Sequence, residues 1–178
     1  MNVREATRED LPGIARVHVD TWRTTYSGIV PDEYLAHLSY SDRQQRWEAL
    51  FIEAAADTTK FILVAEDDGQ IVGFANGGPA RETDLGDSEI YAVYVTAAYQ
   101  GRGHGRRLIG RLATLLRDAG FKSAVVRVLA HNPSRKFYEA LGGRHVSSEE
   151  ISIAGVALEE MVYAWPSLRA LLQNSTHN

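Results

Sequence analysis

Hydrophobic and polar residues in the first third of the chain alternate with the period of an α-helix. The positions that share one face are three or four residues apart: Leu11, Ile14, Ala15, His18 and Trp22. This spacing predicts a helix with one buried face. Thr7 and Asp10 resemble a capping box at its start, and Gly28 predicts its end. A second helical region is expected from Pro31, again with an apolar stripe.

After residue 60 the pattern changes from helical spacing to short apolar runs. K-F-I-L-V-A-E and Q-I-V-G-F-A-N flank the turn sequence D-D-G, which predicts a β-hairpin. Residues 89–96 are rich in aromatic and β-branched side chains and predict a central strand. A leucine-rich stripe then predicts a helix over residues 103–118, with Gly120 as its stop.

The last third of the chain predicts two more helices and three more strands. Residues 123–130 form an apolar strand pattern, and Asn132 is expected to cap a helix with Pro133 in its first position. Strands near 146–153 and 157–164 and a short helix from Pro166 complete the order. An antiparallel meander followed by a strand–helix–strand crossover predicts an α/β fold with a mixed sheet.

Composition places the chain among single-domain globular proteins. Of its 178 residues 44% are hydrophobic and 24% are charged, which fits one domain over 1–178 with a polar, flexible tail at 173–178. The net charge of −4 argues against nucleic acid as a partner. We expect no membrane segment either, because no apolar window is long enough to span a bilayer.

The absence of cysteine restricts the chemistry. It excludes disulfides, zinc–thiolate sites and a thiol nucleophile, and no metal site is expected. A cysteine-free chain with no apolar leader at its N-terminus fits a reducing compartment, so the expected location is the cytoplasm.

The sequence Y-Q-G-R-G-H-G-R-R-L, residues 99–108, lies between a predicted strand and a predicted helix. Its glycine spacing does not fit the dinucleotide fingerprint G-x-G-x-x-G or the P-loop G-x-x-x-x-G-K-[ST]. It satisfies Q-x-x-G-x-G through Gln100, Gly103 and Gly105. Glycine allows successive N–H groups to converge on an anion, and the helix dipole adds to the attraction.

Two segments of the sequence resemble the GNAT family of N-acetyltransferases. One is Y-A-V-Y-V-T-A-A-Y-Q-G-R-G-H-G-R-R-L, and the other is R-V-L-A-H-N-P-S-R-K-F-Y-E-A-L-G. The resemblance implies a mostly antiparallel sheet, flanked by helices and split around an acyl-CoA site. It also implies acetyl-CoA as donor substrate, with these cofactor-binding residues: Val93, Tyr94, Val95, Gln100, Gly101, Arg102, Gly103, His104, Gly105, Arg106 and Asn132.

The resemblance also assigns catalytic residues. Tyr138 matches the tyrosine that protonates the leaving CoA sulfur, although it also fits a residue that only packs its helix against the sheet. Glu89 is the candidate general base, with an exposed strand-end acid as the alternative. Strand alternation predicts that Glu89, Tyr91, Val93 and Val95 share one face.

The acceptor pocket is expected to include Trp22, Tyr26 and Tyr34. The predicted function is transfer of acetyl to a primary amine by direct attack in a ternary complex. The acceptor is a small-molecule amine or a peptide or protein amine. An acyl-CoA-binding regulatory module without transfer activity is the alternative. The family resemblance further implies a homodimer through the late strands. Gly143 departs from the family pattern, which predicts looser packing below Tyr138.

Overall fold

The computed structural model of the chain describes residues 2–176. Within this range one sheet of seven strands is covered by helices on both faces. The strands are β1 (Asn2–Glu5), β2 (Phe61–Asp67), β3 (Gln70–Pro79), β4 (Ser88–Val95), β5 (Ala124–Leu129), β6 (Arg144–Ile153) and β7 (Val156–Trp165). The helices are α1 (Leu11–Thr25), α2 (Asp32–Ala36), α3 (Tyr40–Ala56), α4 (His104–Asp118), α5 (Arg135–Ala140) and α6 (Leu168–Thr176).

The sheet has the strand order β1-β2-β3-β4-β5-β7-β6. Among the described strands β4 and β5 are the parallel pair, and the other neighbours are antiparallel. The predicted α/β class with a mixed, mostly antiparallel sheet is therefore confirmed. No helix in residues 2–176 is both long and apolar enough to cross a bilayer. β6 lies at the sheet edge, and the homodimer through the late strands stays a prediction.

Local sequence signals explain where the first elements begin and turn. The Thr7 N–H donates to Asp10 Oδ2 at 2.8 Å, which closes the predicted capping box before α1. Arg4 donates to the same carboxylate, so β1 is tied to the start of α1. Asp68 and Gly69 have φ angles of 47° and 76°, as a two-residue hairpin turn between β2 and β3 requires.

Three predicted boundaries differ from the structure. The second helical region is two helices, because Ser39 is extended and its Oγ accepts from the Asp42 N–H at 3.3 Å to start α3. Asn132 is not the helix cap, since α5 begins at Arg135 and Ser134 precedes it. The predicted tail at 173–178 is helical through Thr176 as part of α6. Residues 177 and 178 lie outside the described residues.

The core consists of one apolar layer on each face of the sheet. On one face Leu108 and Leu112 of α4 and Leu171 of α6 are fully buried. On the other face Ile14 of α1 and Trp47 of α3 pack against the strands. Burying a side chain of this size stabilises a fold by ~1.5–3 kcal/mol. The two layers therefore hold the sheet between α4 and α6 on one side and α1 and α3 on the other.

The two central strands separate after a short contact. β4 pairs with β5 only from Ser88–Ala124 to Ile90–Val126. At the same level the register between β3 and β4 shifts, because Asn76 pairs with Ala92 and Gly77 with Ile90. Tyr91 is the extra residue of this β-bulge, and a bulge bends the strand that carries it. The bend lies where β4 turns away from β5.

This bulge overturns the prediction that Glu89, Tyr91, Val93 and Val95 share one face. Ile90, Val93 and Val95 all pack in the layer against α4. Glu89, the neighbour of Ile90, therefore faces the α1 side of the sheet. Simple alternation fails because the extra residue shifts the side-chain pattern by one position.

Gly77 is the glycine that makes room for the bulge. A Cβ added there would lie 2.6 Å from the backbone oxygen of Glu89. We expect Gly77→Ala to lower the free energy of unfolding by about 2 kcal/mol, because backbone has to shift to relieve the contact. Urea denaturation followed by circular dichroism measures this change.

Gly110→Ala is the matched control for Gly77→Ala. Its added Cβ meets the side chain of Ser175 and no backbone atom, and alanine favours the helix. Equal stabilities of wild type and Gly77→Ala would contradict the role given to the bulge.

Candidate functional site

The space between the separating strands is divided into two connected cavities. The outer cavity has a volume of about 520 Å³ and lies between the glycine loop and α5. The inner cavity, of about 60 Å³, lies between the strands and α1. Five residues line both cavities: Val93, Val95, Gln100, Ser134 and Tyr138. A molecule that extends from one cavity into the other passes along β4.

The edge of β4 that faces β5 has no strand partner beyond Ile90. An extended ligand can therefore take hydrogen bonds from this edge, as a further strand would. Val95 already has one polar partner, since its backbone oxygen accepts from Gln100 Nε2 at 2.9 Å. That bond fixes the start of the glycine loop against the end of β4.

The glycine loop forms a cradle at the start of α4. Gly101 and Gly103 have φ angles of 72° and 84°, a region that favours glycine. No atom lies within 4 Å of a Cβ built on either residue, so the space above both is open. The first turn of α4 has no acidic side chain. Its free N–H groups and the helix dipole therefore suit a diphosphate.

Most of the predicted cofactor-binding residues line the outer cavity. They are Val93, Val95, Gln100, Gly101, Gly103, His104, Gly105 and Arg106. Tyr94 and Asn132 line the inner cavity instead. Arg102 lies outside both, with its guanidinium 5.2 Å from the centroid of the Tyr99 ring. His104 is buried against Tyr99, and burial lowers the pKa of its imidazole.

Tyr138 lies where the two cavities meet. Its side chain is only 5% exposed, and burial raises the pKa of its phenol above the ordinary value. The phenol is therefore protonated at neutral pH and can donate a hydrogen bond to a ligand between the cavities.

Packing below Tyr138 is tight, contrary to the expectation from Gly143. A Cβ on Gly143 would lie 2.8 Å from the Trp165 ring and 2.9 Å from the Tyr138 backbone oxygen. The indole of Trp165 fills this space and donates to the Leu141 carbonyl at 2.8 Å. Gly143 is needed because Trp165, contributed by β7, supplies the aromatic ring at this position.

Side-chain hydrogen bonds that involve aromatic residues close the α1 side of the inner cavity. Asn132 Nδ2 donates to the Tyr26 hydroxyl at 3.1 Å, and its Oδ1 accepts from the Ser134 N–H at 2.8 Å. Trp22 Nε1 donates to the Tyr94 hydroxyl at 3.2 Å. The predicted acceptor residues Trp22 and Tyr26 are therefore adjacent to the cavity. The ring of Tyr34 lies next to them, 6.3 Å from the Trp22 ring.

Glu89 is buried in an ion pair and does not line either cavity. Its carboxylate is 1% exposed and accepts from Arg81 Nε at 3.1 Å and from the Arg81 N–H at 3.2 Å. Arg127 Nε lies 3.8 Å away. The structure thus gives Glu89 an anchoring contact to the β3–β4 loop. It does not present the carboxylate to the space where a general base would act.

Arg127 is the charged residue that lines the inner cavity, and carboxylates surround it. Glu82 lies 2.7 Å and Glu160 3.9 Å from its guanidinium, and Glu149 pairs with it as well. Burial raises the pKa of Glu160. These carboxylates offset the charge of Arg127, but none of them lines the cavity. Within residues 2–176 no group of three or more His, Asp or Glu side chains is placed to hold a metal ion.

Sequence reasoning did not find all of the residues that shape the cavities. Thr21 lines the inner cavity from α1, and Arg81 neutralises Glu89. The helical spacing of the sequence contained a signal for Thr21, because Thr21 lies one turn after His18 on the same helix face. His18 itself accepts from Trp47 Nε1 at 3.1 Å, and burial lowers its pKa to about 3. It is therefore neutral and part of the core at physiological pH.

Comparison with known sequences identifies relatives over almost the full chain. The sequence model of the acetyltransferase (GNAT) family matches residues 19–143. The uncharacterized N-acetyltransferase YuaI of Bacillus subtilis is 41% identical over 173 residues, which are 96% of this chain and 96% of the relative. The L-amino acid N-acyltransferase MnaT of Escherichia coli is 27% identical over 144 residues, covering 80% of this chain and 78% of MnaT.

Solved structures share the same fold. A putative acetyltransferase of Salmonella typhimurium, YncA, was solved with its cofactor acetyl-CoA and superimposes with a TM-score of 0.70. It is 24% identical, and the match covers 94% of each chain. At this identity the likeness shows that the two chains share a fold.

Proposed function

The chain belongs to the acetyltransferase (GNAT) family and is an N-acetyltransferase, and on this premise we propose that it transfers acetyl from acetyl-CoA to a primary amine by direct attack in a ternary complex. The observation that carries the proposal is the position of Tyr138 at the junction of both cavities. A donor in the outer cavity and an amine in the inner cavity meet beside this phenol.

The outer cavity and its loop fit coenzyme A. Open space above Gly101 and Gly103 leaves room for a diphosphate next to the α4 N-terminus. The free edge of β4 suits the amide groups of a pantetheine arm. When bound there, acetyl-CoA supplies an acetyl thioester. The acetyl-CoA complex of YncA, a neighbour with the same fold, supports this choice of donor.

The inner cavity suits the amine. It is narrow, at about 60 Å³, so only the reacting end of an acceptor fits inside. Aromatic rings of Trp22 and Tyr34 lie beyond it, and such rings attract cationic groups. MnaT is named an L-amino acid N-acyltransferase, which makes α-amino groups the first acceptors to test.

Proton balance assigns Tyr138 its role. The amine nitrogen forms a bond to the acetyl carbon, the carbon–sulfur bond breaks, and the leaving sulfur takes the Tyr138 proton. The amine gives up one proton to solvent, and the phenolate regains one. No cysteine is available to form a cysteinyl acyl-enzyme, which supports direct attack of the nitrogen on the thioester.

The proton of the amine does not need Glu89 as a direct acceptor. The Glu89 carboxylate is enclosed by Arg81 and does not line the inner cavity. We therefore propose that the amine loses its proton to water that enters through this cavity. In this proposal Glu89 holds the β3–β4 loop in place.

The Tyr138→Phe variant tests the transfer reaction. Loss of the proton donor should reduce kcat by about 10²–10⁴-fold, as for other general acids, while the dissociation constant for CoA stays within about twofold. Free-thiol release from acetyl-CoA with a panel of L-amino acids and alkyl amines measures kcat, and calorimetry measures CoA binding.

The same assay separates the enzyme from a binding module. Tight CoA binding by the wild type with no amine-dependent thiol release from any acceptor would favour the acyl-CoA-binding regulatory module. Unchanged kcat in Tyr138→Phe would show that another group protonates the sulfur.

Gly103→Ala tests the phosphate cradle. We expect at least a tenfold weaker affinity for CoA, because the methyl group occupies space beside the loop N–H groups. Gly120→Ala is a matched control, since Gly120 also has a positive φ, of 101°, and open space at Cβ. Both variants carry similar backbone strain, but Gly120 lies at the far end of α4. Calorimetric titration with CoA decides the question, and equal losses in both variants would contradict the cradle.

A further inference from the structure

Thr21 has a buried hydroxyl group without a partner. The residue is 4% exposed, and its Oγ1 makes no hydrogen bond. A buried hydroxyl without a partner destabilises the fold, so such groups are uncommon unless a ligand or water completes them. Helical threonines usually bond to their own backbone. Thr24 on the same helix does so, donating to the Asp20 carbonyl at 3.0 Å.

The position of Thr21 singles it out among the unpartnered groups of residues 2–176. Asn76 Oδ1, His104 Nδ1 and Arg135 Nε are also buried without a partner. Of the side chains with such an atom, Thr21 is the one that lines the inner cavity. Asn76 is on β3, where it pairs with Ala92 of β4.

Thr21 also lies on the acceptor side of the junction. The outer cavity, with the glycine loop, lies toward α4 and α5, and Thr21 does not line it. In the inner cavity α1 contributes Thr21 and Thr25, and Tyr26 directly follows this helix. The Tyr26 hydroxyl already accepts from Asn132, and the Tyr94 hydroxyl accepts from Trp22. The Thr21 oxygen therefore has unused capacity to accept a hydrogen bond where the amine enters.

We propose that Thr21 Oγ1 accepts a hydrogen bond from an N–H of the attacking amine and so orients the nitrogen lone pair toward the acetyl carbon. The inference rests on the proposed acetyl transfer. A neutral primary amine has two N–H groups and one lone pair. One N–H bound to Thr21 leaves the lone pair free to form the new bond and the second N–H free to lose its proton to water. A tertiary amine lacks an N–H for this contact.

Thr21→Val tests the proposal because valine keeps the shape and removes the oxygen. We expect about a tenfold lower kcat/KM for the amine, the loss expected for one hydrogen bond, and an unchanged KM for acetyl-CoA. The thermal midpoint should stay the same or rise, because the variant loses a buried hydroxyl that has no partner in the free protein. Thr21→Ser, which keeps the oxygen, should restore kcat/KM to within about threefold of wild type.

Thr24→Val is the matched control on the same helix. Its hydroxyl bonds to backbone, so this variant should change stability slightly and leave the amine kinetics unchanged. The acceptor is the best L-amino acid or alkyl amine of the panel. Its affinity for the CoA-bound protein, measured by calorimetry, adds a readout without turnover. Thr21→Val should bind this amine about tenfold more weakly than wild type.

The outcomes separate the two proposals. Equal amine affinity and equal kcat/KM in wild type and Thr21→Val would overturn the role of Thr21. A lower thermal midpoint in Thr21→Val together with unchanged kinetics would do the same, since it indicates a structural hydroxyl. A wild type that releases no thiol would overturn the acetyl transfer instead. Calorimetric titration of every amine of the panel into the CoA-bound wild type and Thr21→Val would then still decide whether Thr21 binds an amine.

Discussion

Pairing between β4 and β5 stops after Ile90 and Val126, and the functional site depends on this interruption. The bulge at Tyr91 bends β4 away while β3 keeps its antiparallel contact to the end of the strand. The separation leaves the β4 edge without a strand partner and opens both cavities. It also brings the glycine loop, which follows β4, next to α5, which follows β5. Continued pairing would close the space in which Tyr138 lies.

Side-chain packing and hydrogen bonds within the protein hold the site in place. Trp165 and Gly143 fix the helix that carries Tyr138, while Asn132 links α1 to the start of α5. These contacts are made within the protein, so they exist before any ligand binds and limit the cost of ordering the site. Within residues 2–176 Thr21 Oγ1 has no hydrogen-bond partner, and the Tyr138 phenol lies at the junction of both cavities. The arrangement suits a reaction in which one group protonates sulfur and the other positions nitrogen.

Motifs with local physical meaning predicted much of this structure. The D-D-G hairpin, the capping box before α1 and the glycine loop at α4 each depend on neighbouring residues, and the structure confirms them. The resemblance of two segments to the GNAT family was confirmed as well. Features that depend on distant residues were not predictable from spacing. The bulge requires Gly77 against the Glu89 backbone, Glu89 meets Arg81 across a loop, and Trp165 fills the space beside Gly143.

We infer that coenzyme A binds in the space between β4 and β5. A crystal structure of the protein with CoA tests this inference most directly. We predict the diphosphate at the N–H groups of residues 101–106 and the pantetheine arm along the β4 edge at Val93–Val95. We also predict the CoA sulfur within hydrogen-bond reach of the Tyr138 hydroxyl, about 3.0–3.5 Å. Density for CoA outside the two cavities, or a CoA sulfur far from Tyr138, would contradict the account.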